Sequence, residues 1–283
     1  MAQSGQVQYA VVGDSYNTVP GQVDGGSWGV NTNVQTRSAI NGVGAKVAGA
    51  ALTVVSLNLR PVDTNCLLDK IIRSTSPHGL PSVVKLEAGD DEKGVKGASW
   101  YCHQAEIAMA AEAALSVNYT FHHSGKHTAT TGVATPNYDS GGTTFEWYRG
   151  YVQADGDTFG CRSLKITVAN NLIPVYDLSA KSTSSLRYPV ALVAGPQQVT
   201  ATAEYQAWPT HGNDIEGDEL TTETIVAVAV NNASSPATYT FTLTDAKVVS
   251  WSTAPVANNA LKIYTVNYEL DENDSSGLTI EAS

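Results

Sequence analysis

The histidines and cysteines in the first half of this chain have the side chains best suited to chemistry. Cys102 and His103 are followed by His122, His123 and His127. Neutral imidazole and thiolate are the usual ligands of zinc. Their spacing matches no closed four-ligand pattern, and the Gly- and Thr-rich stretch around the last histidine is typical of a loop. We therefore expect loop histidines that bind no metal.

A Gly13-Asp14-Ser15 tripeptide follows the first apolar run. It resembles the block that carries the nucleophilic serine of the GDSL/SGNH hydrolases. That mechanism needs a general base, which the family supplies as a C-terminal Asp-x-x-His. Here the last histidine is His211, and Trp208 occupies the position three residues before it. We interpret the tripeptide as a turn after a strand, where Gly and Asp are favoured. We predict that the protein is not an enzyme and needs no cofactor.

The composition excludes several classes of protein. Charged residues make up only 15 % of the chain and the formal net charge is −11. A nucleic-acid reader carries a basic face, whereas an acidic wall along which DNA merely slides is compatible with this charge. Residues 1–6 have no basic or apolar region typical of a signal peptide, and no apolar run is long enough for a membrane span. Three widely spaced cysteines, Cys66, Cys102 and Cys161, predict buried free thiols rather than disulfides.

Strand patterns dominate, because Thr- and Val-rich segments with few charges favour extended structure. Alternating apolar and polar residues predict strands at 51–59, 164–168, 198–205, 224–230, 237–243 and 261–268. Apolar residues at helical spacing predict one short amphipathic helix within 63–73. Residues 104–114 have a helical composition, but their place in the internal similarity described next predicts a strand or a broken hairpin.

The two halves of the chain resemble each other. Val117-Asn-Tyr119 matches Val266-Asn-Tyr268. Val30 matches Val175 and Gly49 matches Gly195, in the same order and at nearly the same offset. This similarity predicts two related β-domains, at 1–145 and 146–283.

Three stretches together resemble the two-domain tail tube proteins of phages. Residues 36–61, which include Ala48-Gly-Ala-Ala-Leu-Thr-Val-Val55, are similar to the strand, turn and strand that open the first tube domain. Residues 159–170, with Leu164-Lys-Ile-Thr-Val168, are similar to the start of a second tube domain. Residues 186–205 are similar to the second copy of the strand pair.

The resemblance implies an all-β fold of two related β-sandwich or barrel-like domains, with one short helix in at least the first. Edge strands of neighbouring domains would join head to tail into a ring around a lumen, which leaves no exposed sheet edge, and identical rings could then stack. The family's rings are sixfold, so three chains with pseudo-sixfold symmetry and six chains are both compatible.

The resemblance also implies partners and a location. The chain would pair with copies of itself, and the tape-measure protein and viral DNA would occupy the lumen transiently. Sheath, baseplate and terminator proteins are further expected partners, and no membrane is expected. The location would be the virion tail, with assembly in the host cytoplasm.

Two groups of residues are the candidate contact sites of such a tube. One face of 198–206 is polar, which predicts a polar, acidic lumen lining formed by Gln198, Thr200, Thr202, Glu204 and Gln206. The long loop 124–144 is predicted to contact the next ring through Ser124, Lys126, His127 and Tyr138.

Two other classes of protein stay open. A capsid decoration or baseplate protein has a similar β-rich composition. A carbohydrate-binding adhesin module would use exposed aromatic side chains to stack on sugars. Self-assembly distinguishes a tube subunit from an adhesin, which binds glycan as a monomer.

Overall fold

The computed structural model describes residues 7–37, 45–62, 67–73, 79–131, 143–156, 160–177, 187–206, 222–253, 263–270 and 277–283. Strands make up 69 % of it and helix 2 %, which confirms the predicted all-β fold. The strands of the first half are β1 (Tyr9–Val12), β2 (Gln22–Arg37), β3 (Ala45–Arg60), β4 (Val84–Gly89), β5 (Gly94–Ala110), β6 (Ser116–His123) and β7 (Thr128–Thr130). Those of the second half are β8 (Phe145–Ala154), β9 (Cys161–Ala169), β10 (Ile173–Val175), β11 (Ala191–Val193), β12 (Gln198–Tyr205), β13 (Thr222–Asn231), β14 (Thr238–Thr253), β15 (Tyr264–Glu269) and β16 (Leu278–Ala282).

The predicted helix is a single 3₁₀ turn, Leu67–Lys70, and the first residues of the predicted segment, 63–66, lie outside the described residues. Leu67, Leu68 and Ile71 are buried, so the apolar spacing that predicted a helix instead anchors a short turn to the core. Residues 104–110 belong to β5, and a turn with Glu112 at a φ of 68° follows. Tertiary pairing thus overrides the helical propensity of this stretch.

The order of strand pairing occurs twice along the chain. In the first half the antiparallel neighbours run β1-β4-β5-β6-β3-β2. In the second half they run β8-β13-β14-β15-β12-β9. We refer to the first set as the first repeat and to the second set as the second repeat; the predicted domain division at 145/146 falls at the start of β8.

The two repeats share one continuous sheet, because β5 of the first repeat pairs with β9 of the second. Eight strands therefore follow one another in the order β2-β3-β6-β5-β9-β12-β15-β14. Their buried faces contribute to one apolar cluster that also contains residues of β1, β4 and β13. The arrangement is sandwich-like, with the opposite face of the eight-stranded sheet open.

The strand registers show that the matched Val-Asn-Tyr segments occupy equivalent positions in the two repeats. Tyr119 lies opposite Leu57 and Ala105, and Tyr268 lies at the matching position opposite Ala201 and Val248.

The two matched glycines have matching surroundings. A Cβ added to Gly49 would lie 1.8 Å from the Asn33 carbonyl oxygen, and one added to Gly195 would lie 2.5 Å from that of Asn171. The match of Val30 with Val175 is wrong, because Val175 belongs to the separate β10–β11 pair rather than to the counterpart of β2.

Candidate assembly surface

The polar residues predicted to line a lumen lie together on the open face of β12. Gln198, Thr200 and Gln206 are exposed, while Thr202 and Glu204 are half-buried. The alternate residues are buried: Val199, Ala201, Ala203 and Tyr205. The strand therefore has one face in the core and one polar face, as its alternation indicates.

Polar side chains continue across seven of the eight strands on the open face. One register row joins seven strands through Asn58, Asn118, Glu106, Thr167, Thr200, Glu269 and Lys247. In the next row, Thr202 Oγ1 donates to Asn267 Oδ1 at 2.8 Å, and Asn267 Nδ2 donates to Ser250 Oγ at 2.9 Å. These hydrogen bonds saturate polar groups that would otherwise be free to bind a passing molecule.

Charges of both signs lie on this face. Lys165 Nζ is 2.7 Å from Glu106 Oε2, and Arg60 Nε is 2.6 Å from Asp24 Oδ2. Paired charges cancel much of each other's field, so the open face is polar and mixed rather than uniformly acidic.

The predicted inter-ring loop is partly packed on its own chain. Ser124 N–H donates to the Ser99 carbonyl at 2.9 Å. The ring of His127 hydrogen-bonds Thr53 Oγ1 at 2.8 Å and stands edge-on to Tyr188 at 5.7 Å. Lys126 is exposed, and Tyr138 lies outside the described residues. The structure thus brings His127 to β3 and leaves Lys126 at the surface.

The junction between the repeats is an antiparallel strand pair. Gln104 to Ala110 of β5 lie opposite Ala169 to Ser163 of β9. Within this pairing Ile107 faces Ile166, both buried, and Glu106 faces Thr167 on the open face. Along β5, β4 pairs with the first part of the strand and β9 of the second repeat pairs with the last part.

A buried polar network closes the same junction, and no sequence pattern indicated it. Asn170 is fully buried and its Nδ2 donates to the carbonyls of Ile71 and Cys102 at 2.9 and 3.0 Å. Arg73 is 4 % exposed and donates to Asn170 Oδ1 at 3.2 Å and to the Gly195 carbonyl at 2.7 Å. Burial lowers the pKa of the Arg73 guanidinium, but its hydrogen bonds hold it where both repeats meet.

Histidines also take part in this junction. His103 Nδ1 accepts the Leu172 N–H at 3.1 Å, so its ring holds the chain leaving β9. His122 stacks on His103 at 4.0 Å with the rings 15° apart. Burial, together with the neighbouring His103, lowers the pKa of His122 to about 3. Within the described ranges no three His, Cys, Asp or Glu side chains are placed to hold a metal ion.

Among the described residues, two edges of the sheet correspond to the two sides of this junction. β13 pairs with β14 as far as Lys247, and from Val248 to Thr253 β14 pairs with β15 on its other side. At the opposite end of the sheet, β2 pairs with β3. In the described part of the chain, β2 also accepts a backbone hydrogen bond from the residue Val7, whose N–H donates to the Gly26 carbonyl at 3.4 Å.

The Gly13-Asp14-Ser15 tripeptide forms a turn directly after β1. The Tyr16 N–H donates to the Gly13 carbonyl at 3.2 Å, and Lys85 Nζ lies 2.6 Å from Asp14 Oδ1. The ion pair with Lys85 lowers the pKa of Asp14. The prediction of a turn at this position is therefore correct.

In the part of the chain that the structure describes, no helix is long and apolar enough to cross a membrane. No protein-family model matches the chain. Comparison with curated proteins likewise gives no match. A functional proposal for this chain therefore rests on its sequence pattern and on the geometry described above.

Proposed function

We propose that this protein is a tube-forming subunit of a phage tail, whose copies join side by side into rings through the strand pairing that joins its own two repeats. One observation carries the proposal. β5 holds β9 on its edge, whereas among the described residues the pairing of β13 with β14, the counterpart of β5, ends at Lys247. β2, the counterpart of β9, lies at the other end of the sheet.

The register of the proposed contact follows from the inner junction. Asn118 and Asn267 are matching residues of β6 and β15. Glu106 of β5 lies opposite Asn118, and Ser250 of β14 lies opposite Asn267. Ser250 is therefore the counterpart of Glu106.

The same procedure identifies its partner on β2. Thr167 of β9 lies opposite Thr200, and Ser27 of β2 lies opposite Ser56, the counterpart of Thr200. Because Glu106 faces Thr167 within the chain, Ser250 of one copy is expected to face Ser27 of the next. Both serines are exposed. At the neighbouring position, the pairing would replace the hydrogen bond that the Val7 N–H donates to the Gly26 carbonyl.

Side-chain sizes at the proposed contact are complementary. Ile107 faces Ile166 at the inner junction. The matching pair between copies is Trp251 with Gly26. A Cβ on Gly26 would lie 2.2 Å from the Ser56 carbonyl oxygen, so this strand position excludes side chains. A large aromatic side chain covers a strand glycine well.

Such a contact is heterologous and generates rings when the rotation between copies closes. The open polar face, with its hydrogen-bonded rows, would then line the lumen and offer DNA few free groups to bind. Three chains supply the six repeats that the resemblance to tail tube proteins implies, and six chains supply twelve. We favour three.

Negative-stain electron microscopy of the purified protein across a concentration series tests the assembly. Rings or hollow tubes of uniform width are expected, and the symmetry of end-on views separates three chains from six. Dispersed monomers at every concentration would count against the proposal and favour a decoration protein or a glycan-binding module.

A charge-swap pair tests the register. Ser27→Lys combined with Ser250→Lys places like charges opposite each other and should abolish rings, whereas Ser27→Glu with Ser250→Lys should restore them. Asn118→Lys with Gln198→Lys adds the same charge to inner strands and serves as the control. Equal assembly by the two Ser27/Ser250 combinations would show that the copies do not pair in this register.

A further inference from the structure

An exposed apolar ribbon lies on the two-stranded sheet of β10 and β11. Ile173 pairs with Val193 and Val175 pairs with Ala191, and these four residues share one face, which is exposed. Leu192 is buried beneath them. Exposed strand faces are usually polar, so an apolar face of this kind is typical of a contact surface. We call these four residues the apolar ribbon.

A cleft of about 370 Å³ lies between the repeats. It is mostly apolar, and its lining includes Met109, Leu115, Phe145, Trp147, Tyr151 and Cys161. The register of β8 against β13 is irregular between Tyr151 and Glu146. A bulge of this kind re-aims side chains, and Trp147, Tyr148 and Tyr151 are all about half exposed. We call this space the inter-repeat cleft.

The ribbon and the cleft lie at opposite ends of the same strands. β9 begins at Cys161 in the cleft and ends at Ala169, shortly before the ribbon. β12 begins shortly after the ribbon and ends next to Gln206, which also lines the cleft. Eight residue steps along β9 span about 27 Å. In a closed ring of tilted strands, the two ends of a strand lie towards opposite rims.

We infer that the apolar ribbon of one ring seats in the inter-repeat cleft of the ring stacked on it. The occupant of the cleft is thus a second copy of this chain. This inference rests on the proposed function and deepens it, because it names the surfaces through which rings would stack. The contact is heterologous, so each ring keeps one set of ribbons and one set of clefts for further growth.

Charge complementarity favours this occupant. Asp177 follows the ribbon and is exposed. Arg162 lines the cleft and is exposed as well. When the ribbon enters the cleft, a carboxylate and a guanidinium of opposite sign approach the rim of the contact. Rim charges of this kind orient the approach more than they add to affinity.

The size of the ribbon explains why single chains would not associate through it. A stable specific interface buries about 800 Å² on each partner. Four small side chains cover less than this. In a ring, several ribbons engage several clefts at once, and the linked contacts raise the affinity without new surface. Stacking is therefore expected only after rings have formed.

Val193→Glu tests the ribbon, with Val83→Glu as a matched control, because Val193 and Val83 are 49 % and 50 % exposed. A carboxylate buried in an apolar cleft is unfavourable. The Val193→Glu chain should still form rings, but the protein concentration needed for tubes should rise about tenfold or more. Val83→Glu should assemble like the unmodified chain. If Val193→Glu rings stack as readily as the control, the inference is overturned while the proposed rings stand.

A cross-linking experiment decides the contact separately. Chains with Val193→Cys are mixed with chains with Tyr148→Cys and treated with a short bismaleimide, and a two-chain product is expected only in the mixture. Each variant alone gives the background from native cysteines, of which Cys161 is a poor nucleophile because burial raises its thiol pKa to about 12. If no chain forms rings, the proposed function fails. Where rings form, the mixed cross-link supports the ribbon–cleft contact, and its absence overturns it.

Discussion

The junction inside the chain, β5 with β9, and the proposed junction between chains, β14 with β2, use matching strands in different ways. The inner one combines strand pairing with a buried network, in which Asn170, at the end of β9, donates to the Ile71 and Cys102 carbonyls of the first repeat. Asn170 follows Thr167 of β9 by three residues. In β2, Val30 follows the matching Ser27 by the same number, so the proposed junction between chains has an apolar residue where the inner junction has Asn170. The comparison indicates that a permanent contact can bury satisfied polar groups, whereas a contact that must form between separate chains relies on backbone pairing and shape.

Removing the network should have the largest effect on folding. Asn170→Ala removes the Nδ2 donor to the carbonyls of Ile71 and Cys102 and the Oδ1 acceptor of Arg73 and Gln197. The free energy of unfolding should fall by about 3–5 kcal/mol, the range for breaking a buried charged network. Urea unfolding of the monomer measures it. The exposed Asn118→Ala is the control, and equal midpoints for the two variants would refute a structural role for the network.

Acid should lower the unfolding free energy through His122 at the inner junction, by less than the Asn170→Ala change does. The pKa of His122 in the folded chain is about 3, below the ordinary value of 6.5. The unfolded chain therefore binds more protons, so the stabilisation is complete above about pH 6.5 and is lost as the pH falls towards 3. We expect a loss of roughly 2 kcal/mol by about pH 4, since one pKa unit is worth about 1.4 kcal/mol and partial exposure screens the charge.

His122→Gln sharpens this expectation. The variant removes the titrating ring next to His103, so its unfolding free energy should depend less steeply on pH between 6.5 and 4 than that of the unmodified chain. Chemical unfolding at a series of pH values gives both slopes. Identical slopes would assign the acid sensitivity to other groups, such as His123, whose pKa burial also lowers.

The open face should be the least sensitive region. Thr202→Val removes the hydrogen bond to Asn267, and we expect a loss of about 0.5–1.5 kcal/mol. Thr200→Val, two residues earlier on the same exposed face, should change the unfolding free energy by less. A larger loss from Thr200→Val would mean that the row through Thr202 contributes no stability. Thermal unfolding of both variants makes the comparison.

The sequence predicts the strands well, because their alternation follows directly from one buried and one open face. The segment 198–205 coincides with β12. The polar face of this strand was equally predictable, since Thr200 and Glu204 sit at alternate positions. The short helix was predicted with the right buried residues but the wrong geometry, because a single turn carries too few residues to establish the helical period.

The features that close the junction could not be found from the sequence. Arg73 and Asn170 are 97 residues apart, and nothing in either local pattern indicates that they meet. The apolar ribbon was missed for another reason. Ile173-Pro-Val175 and Ala191-Leu-Val193 are too short for their alternation to show which face is open.

Fusing two repeats in one chain changes how a ring of such chains would fit onto its neighbour. Half of its junctions form as each chain folds, and only the other half depend on protein concentration. Within the described residues the β10–β11 pair belongs to the second repeat alone. Ribbons and clefts would therefore recur once per chain. A ring rotated about the tube axis would bring its ribbons back to the clefts of its neighbour only after a rotation by one whole chain. The rotational phase of the tube would then be set by the polypeptide and not by the repeat.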